Sequence, residues 1–128
     1  AYFAGYAMWT YMNTPFLFAM PDVKTEELEP WQENGETWRR LKVTFPERIA
    51  THSTEQTFYF DRRGLLKRHD YQVDVAGGAA AAHYVSALTD VSGIVVPTTH
   101  TIFPRQPDGS SAPTPVIVSI DISEIEFK

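Results

Sequence analysis

The chain reads as a mainly β protein: a curved antiparallel sheet of about seven strands, a half-barrel, wrapped on an N-terminal helix. Three observations predict this. From Val23 onward apolar and polar residues alternate with period two, the mark of strands buried on one side. Turn signals, Asn34-Gly35 foremost, interrupt that alternation at short intervals. Ahead of it, Ala1 to Met12 carries Tyr2, Tyr6, Trp9 and Met12 near helical spacing.

Size and composition bound the rest. A length of 128 residues suits a single domain over 1–128, large enough for a real core. Hydrophobic content of 43% beside 21% charged residues is globular, not disordered. A net charge of −5 argues against nucleic acid as a partner, because phosphate binding needs clustered Lys and Arg. The pairs Arg39-Arg40, Arg62-Arg63 and Lys67-Arg68 are short and interleaved with acids. Without cysteine, disulfides and thiolate metal sites are excluded, which fits the cytoplasm. No apolar run reaches membrane-span length, so no transmembrane segment is expected. The chain starts on Ala1 with core-like residues at once, so a native N-terminal segment is expected to precede it. A signal in that segment would move the location to the cell envelope.

In order, Ala1–Met12 is a helix weakened by Gly5. Thr14 caps a second apolar turn, Phe16-Leu17-Phe18, begun by Pro15 and closed by Met20-Pro21. Folding at Asn34-Gly35 sets Trp31 opposite Trp38 and Leu28 opposite Leu41. Pro46 to Ser53 breaks the next strand. Glu55–Phe60 is a strand, Asp61 to Gly64 a turn, and Leu65–Val75 a long strand. Ala76-Gly77-Gly78 leads to Ala79–Thr89, and Asp90 to Gly93 to Ile94–Phe103. A Pro-, Ser- and Gly-rich loop, Pro104 to Pro115, precedes the last strand from Val116 to about Ile122.

Alternation then sorts the side chains. Phe58, Phe60, Leu65, Lys67, His69, Tyr71 and Val73 share one face. Tyr71 comes opposite His83, His69 opposite Val85, His83 opposite His100, and Ala87 opposite Val96. Leu41, Val43, Phe45, Val116, Val118, Ile120 and Ile122 complete this dry face. Arg40, Lys42, Thr44, Arg68, Asp70, Gln72, Asp74, Ser86, Ser119 and Asp121 form the other, which reads as solvent-exposed. A sheet with one dry side must cover it, and the N-terminal helix is the expected cover.

The dry face holds a polar centre: His69, Tyr71, His83 and His100, with Gln56 nearby. Buried imidazoles without partners cost about 1–3 kcal/mol each, so these must bond to one another, to water or to a ligand. Four readings fit. One is a satisfied structural network. Another is a pocket for an apolar small molecule, lined by Tyr6, Trp9, Gln56, Phe58, Val85, Val96 and Val118 and oriented by the polar row. A third is cofactor-free acid–base catalysis by His83 or His69, assisted by Tyr71 or Lys67. The fourth is a three-histidine metal site, disfavoured because no acid joins the row. Neither a metal nor another cofactor is expected. No serine-hydrolase elbow, phosphate-binding loop, dinucleotide-binding glycine pattern or zinc-protease helix occurs. Lys67 has two readings, a lysine snorkelling at the rim or an imine-forming amine.

The run from Trp38-Arg39-Arg40-Leu41 through Phe58-Tyr59-Phe60-Asp61 to Gly64-Leu65-Leu66-Lys67-Arg68-His69-Asp70-Tyr71 resembles LolA-like (lipoprotein-carrier-like) bacterial proteins. The segments Ala81-Ala82-His83-Tyr84 and Gly93-Ile94-Val95-Val96-Pro97-Thr98 are similar to a bacterial family of hypothetical proteins, of which this chain would be the C-terminal part. The resemblance implies acyl chains or other apolar molecules held between a curved sheet and helices. One enzyme of that fold works without a cofactor in such a cavity, so the resemblance admits catalysis as well. It carries over no catalytic residue. The family's earlier strands are missing here, which implies an exposed edge open to a homodimer or a partner strand.

Overall fold

The computed structural model describes residues 16–49, 53–73, 79–112 and 118–122. Within them seven antiparallel strands form one open sheet in sequential order. They are β1 (Lys24–Glu33), β2 (Glu36–Thr44), β3 (Glu55–Phe60), β4 (Leu66–Val73), β5 (Ala79–Val91), β6 (Ile94–Pro104) and β7 (Val118–Asp121). The expected helix over Ala1–Met12, with Tyr6 and Trp9, lies outside the described residues. The apolar turn after it is present as a 3-10 helix, Phe16–Ala19.

Turn chemistry sets the registers. Asn34 and Gly35 take φ of +52° and +75°, the left-handed pair a two-residue hairpin needs, and Trp31 pairs with Trp38. Leu28 pairs with Arg40 instead of the expected Leu41, because the ladder shifts between Leu28 and Trp31. Pro30 lies in that interval and has no N–H to give the ladder. At the next turn Asp61 Oδ1 accepts from the backbone N–H of Arg63 and Leu65 at 2.9 and 3.0 Å. A second shift follows: Tyr59 pairs with Arg68 but Phe60 with Leu66. Lys67 is therefore the extra residue of a bulge, and Leu66 takes the apolar face where Lys67 was expected.

Two further registers differ from expectation by two residues. His69 pairs with His83, not Val85, and Tyr71 with Ala81. Val85 pairs with His100, His83 with Ile102, and Val96 with Thr89. The cause at β5–β6 is a tight Ser92-Gly93 turn, φ +53° and +86°, where a four-residue turn was expected. Both strands consequently run longer. A slip of two keeps every side chain on its face, so Phe58, His69, Tyr71, His83 and His100 stay together and only Lys67, in the bulge, is displaced among them.

That face holds two apolar clusters. Val43, Phe45, Ile49 and Phe58 form one, packed by Phe18, Met20, Val23, Leu41, Phe60 and Leu66. Tyr71, Ala81 and Ile102 form the other, packed by Val73 and Ile120. Phe18 begins the cover, its ring 4.7 Å from Phe58 in an edge contact.

The opposite face corrects the sequence reading. Arg68 and Asp70, assigned there to solvent, are 0% and 2% exposed. Arg68 donates to Asp70 through Nε at 2.7 Å and Nη2 at 3.0 Å, to Glu33 through Nη1 at 2.8 Å, and to the Gly109 carbonyl. Its guanidinium lies 4.7 Å from the Tyr59 ring, 5.4 Å from that of Trp31 and 5.5 Å from that of Tyr84. Tyr59 and Tyr84 hydroxyls donate to Asp70 and Glu33 at 2.6 and 2.5 Å. The segment from Arg105 to Ala112 folds back as the lid, placing Gly109 so close that a Cβ there would sit 3.0 Å from the Trp31 ring. Burial works against the Arg68 charge, but Asp70 beside it outweighs that and raises its pKa. Burial first, then Glu33, pushes Tyr84 up to about 12.

Candidate functional site

The polar centre lies between the two apolar clusters, and three adjacent strands build it. β4 supplies His69 and Tyr71, β5 supplies His83, and β6 supplies His100. Tyr71 and His83 are diagonal neighbours, two residues off register, as are His83 and His100. That diagonal spacing is within reach of aromatic side chains. The Tyr71 hydroxyl lies 3.3 Å from His83 Nδ1, and His83 Nε2 lies 2.8 Å from His100 Nδ1. All three side chains are buried, with His83 and His100 at 1% exposure.

A neutral His83 carries one ring proton, so it donates at one nitrogen and accepts at the other. Either Tyr71 donates to Nδ1 while Nε2–H donates to His100, or both bonds run the other way. The row is thus a directional chain with two polarities. His69 is anchored separately. Gln56 donates through Nε2 to the Ser53 carbonyl at 2.9 Å, which turns Oε1 toward His69 Nε2. His69 must then carry its proton on Nε2. Its ring stacks on Phe58 at 4.0 Å and lies 4.7 Å from Tyr71.

Burial holds the His100 pKa below its ordinary 6.5, only partly opposed by a hydrogen bond to the Pro97 backbone. At neutral pH His100 is therefore uncharged. The imidazoles run in a line instead of converging on one point, and no group of three acids or histidines suited to a metal occurs among the described residues.

The structure thus brings together Gln56, Phe58, His69, Tyr71, His83 and His100 from the expected set. Val85 sits opposite His100, and the backbone of Val118 pairs with that of Ile102. Val96 is buried but lies four residues before His100 on β6, level with the part of β5 beyond Ala87, whose φ is positive. Lys67 is half-buried in its bulge, with no side-chain hydrogen bond or ion pair among the described residues.

Sequence reasoning missed a groove of about 480 Å³ at the end of this face, beside the β3–β4 turn. Leu41 and Phe60 form its apolar floor, and Arg39, Arg62 and Arg63 its rim. The signal was available in the Arg62-Arg63 pair flanking the aromatic end of β3.

No known protein family, curated protein or solved structure matches the chain. Among the described residues no helix is long and apolar enough to cross a membrane. What fold and site define is a class only: an open antiparallel meander with a buried, hydrogen-bonded row on its apolar side.

Proposed function

We propose that this face binds a hydrophobic or amphipathic small molecule, with His69, Tyr71, His83 and His100 orienting it. The expected frame is the LolA-like one: a half-barrel whose concave side is closed by the N-terminal segment, with Tyr6 and Trp9 completing the lining. One observation carries the reading. The Tyr71–His83–His100 row is buried and hydrogen-bonded, His100 is uncharged at neutral pH, and the apolar clusters around Phe58 and Ile102 adjoin the row. Ligand sites are mostly apolar with a few convergent polar groups, and hydrogen-bonding imidazole and phenol groups suit a hydroxyl or carbonyl. A ring-lined face with two proton polarities can accept from a ligand hydroxyl or donate to a carbonyl.

Calorimetric titration with dodecanol tests this on the intact chain and on His83→Ala. Loss of one orienting hydrogen bond is expected to weaken binding about tenfold, near 1.4 kcal/mol. A purely structural row would lower stability in the variant, and neither protein would bind dodecanol.

The same row supports a second reading, cofactor-free acid–base catalysis. The Tyr71 hydroxyl and His83 Nδ1 stand 3.3 Å apart, a phenol–imidazole pair suited to general acid–base work. In that case His83→Ala lowers turnover by orders of magnitude while substrate affinity changes little.

A further inference from the structure

We propose that the groove beside the β3–β4 turn is an anionic head-group site, so the ligand class is a single-chain amphiphile with a carboxylate or phosphate head. The inference rests on the binding reading above and narrows it. The floor of the groove, Leu41 and Phe60, packs directly on the cluster containing Val43 and Phe58. Phe58 in turn stacks on His69, so an apolar track leads from the groove to the polar row. With the head among the guanidinium groups, a tail inserted past the buried Val43 and Phe58 would bring a hydroxyl or carbonyl further along it to the polar row.

The charges there are unevenly committed. Four arginines and two carboxylates line the groove, a local positive excess on a chain of net charge −5. Arg39 is held by Glu27 at 2.8 and 3.0 Å, but both side chains are more than half exposed and the pair is weak in water. Asp61 is occupied with the turn backbone, and the Arg63 guanidinium stands 3.8 Å from it. Arg62 has no ion-pair partner among the described residues. Guanidinium groups match carboxylate and phosphate oxygens in bidentate fashion, which a solvated lysine rim would not. The volume also falls within the roughly 300–1,000 Å³ of small-molecule sites.

Titration of the full chain with dodecanoate, dodecyl phosphate and dodecanol, all below their micellar concentrations, tests the site. Both anions are expected to bind about tenfold or more tighter than the alcohol, and added salt to shrink the difference. The tighter of the two anions distinguishes a fatty-acid head from a phosphate head. In the double variant Arg62→Glu/Arg63→Glu, whose turn backbone bonds are untouched, the ratio of anion to alcohol affinity is expected to fall to about one. Circular dichroism confirms that the variant folds. Equal affinity for alcohol and anions in the native chain would overturn the head-group site while leaving the apolar face as a binder. An anion preference that survives in the variant would overturn its location. Binding of none of the three would sink the binding reading itself.

Discussion

Replacing Arg68 by Met strands two acids that the fold has taken out of water. Asp70 is 2% exposed and loses both of its hydrogen bonds from Arg68, keeping among the described residues the Tyr59 hydroxyl at 2.6 Å and Arg105 at 3.3 Å. Glu33 loses its 2.8 Å partner but is 20% exposed and keeps Trp31 and Tyr84 as donors. Removing one member of a buried ion pair typically costs about 3–5 kcal/mol. Water reaches Glu33 and Arg105 still faces Asp70, so the lower half of that range is expected here. Against a total stability of about 5–15 kcal/mol this is a large loss. Adding Asp70→Asn removes the stranded charge, and the double variant is expected to recover about 1–2 kcal/mol of it. Equilibrium urea unfolding followed by tryptophan fluorescence is the assay, since Trp31 and Trp38 both lie against Tyr59 in this cluster. A cost below about 1 kcal/mol for Arg68→Met, or strict additivity of the two changes, would refute the buried-cluster account.

Two other consequences are as specific. Gly109→Ala is expected to destabilise by about 1–3 kcal/mol, because the new Cβ would lie 3.0 Å from the Trp31 ring at a φ of +91°; the urea midpoint reads it. The depressed pKa of His100 means the unfolded chain binds its proton more readily, so His100 favours folding fully above pH 6.5 and progressively less as pH falls below it. Stability measured from pH 7.5 down is expected to steepen by up to about 1.4 kcal/mol per pH unit, and His100→Asn to flatten that slope.

Why the shared facing of the polar row could be read in advance while part of its surroundings could not follows from locality. Side-chain alternation is a property of each strand, so Tyr71, His83 and His100 reach the same face although both of their ladders lie two residues from expectation. Asn34-Gly35 was legible because both residues suit left-handed backbone, whereas Ser92 at φ +53° gives no such warning. The bulge at Lys67 had no sequence signal, since nothing in Leu65-Leu66-Lys67 marks which residue is extra. Burial of Arg68 and Asp70 depends on a lid 40 residues downstream, from Arg105 to Ala112, that carries no periodicity to read. Aromatic residues on the supposedly wet face (Trp31, Tyr59 and Tyr84) were the available hint.

Direct titration of the intact chain with dodecanol beside its His83→Ala variant bears most closely on the central claim. Saturable binding near one molecule per chain, weakened about tenfold in the variant, is the expected result. Heats indistinguishable from dilution in both proteins, with the variant merely less stable, would contradict it and leave the histidine row as part of the core.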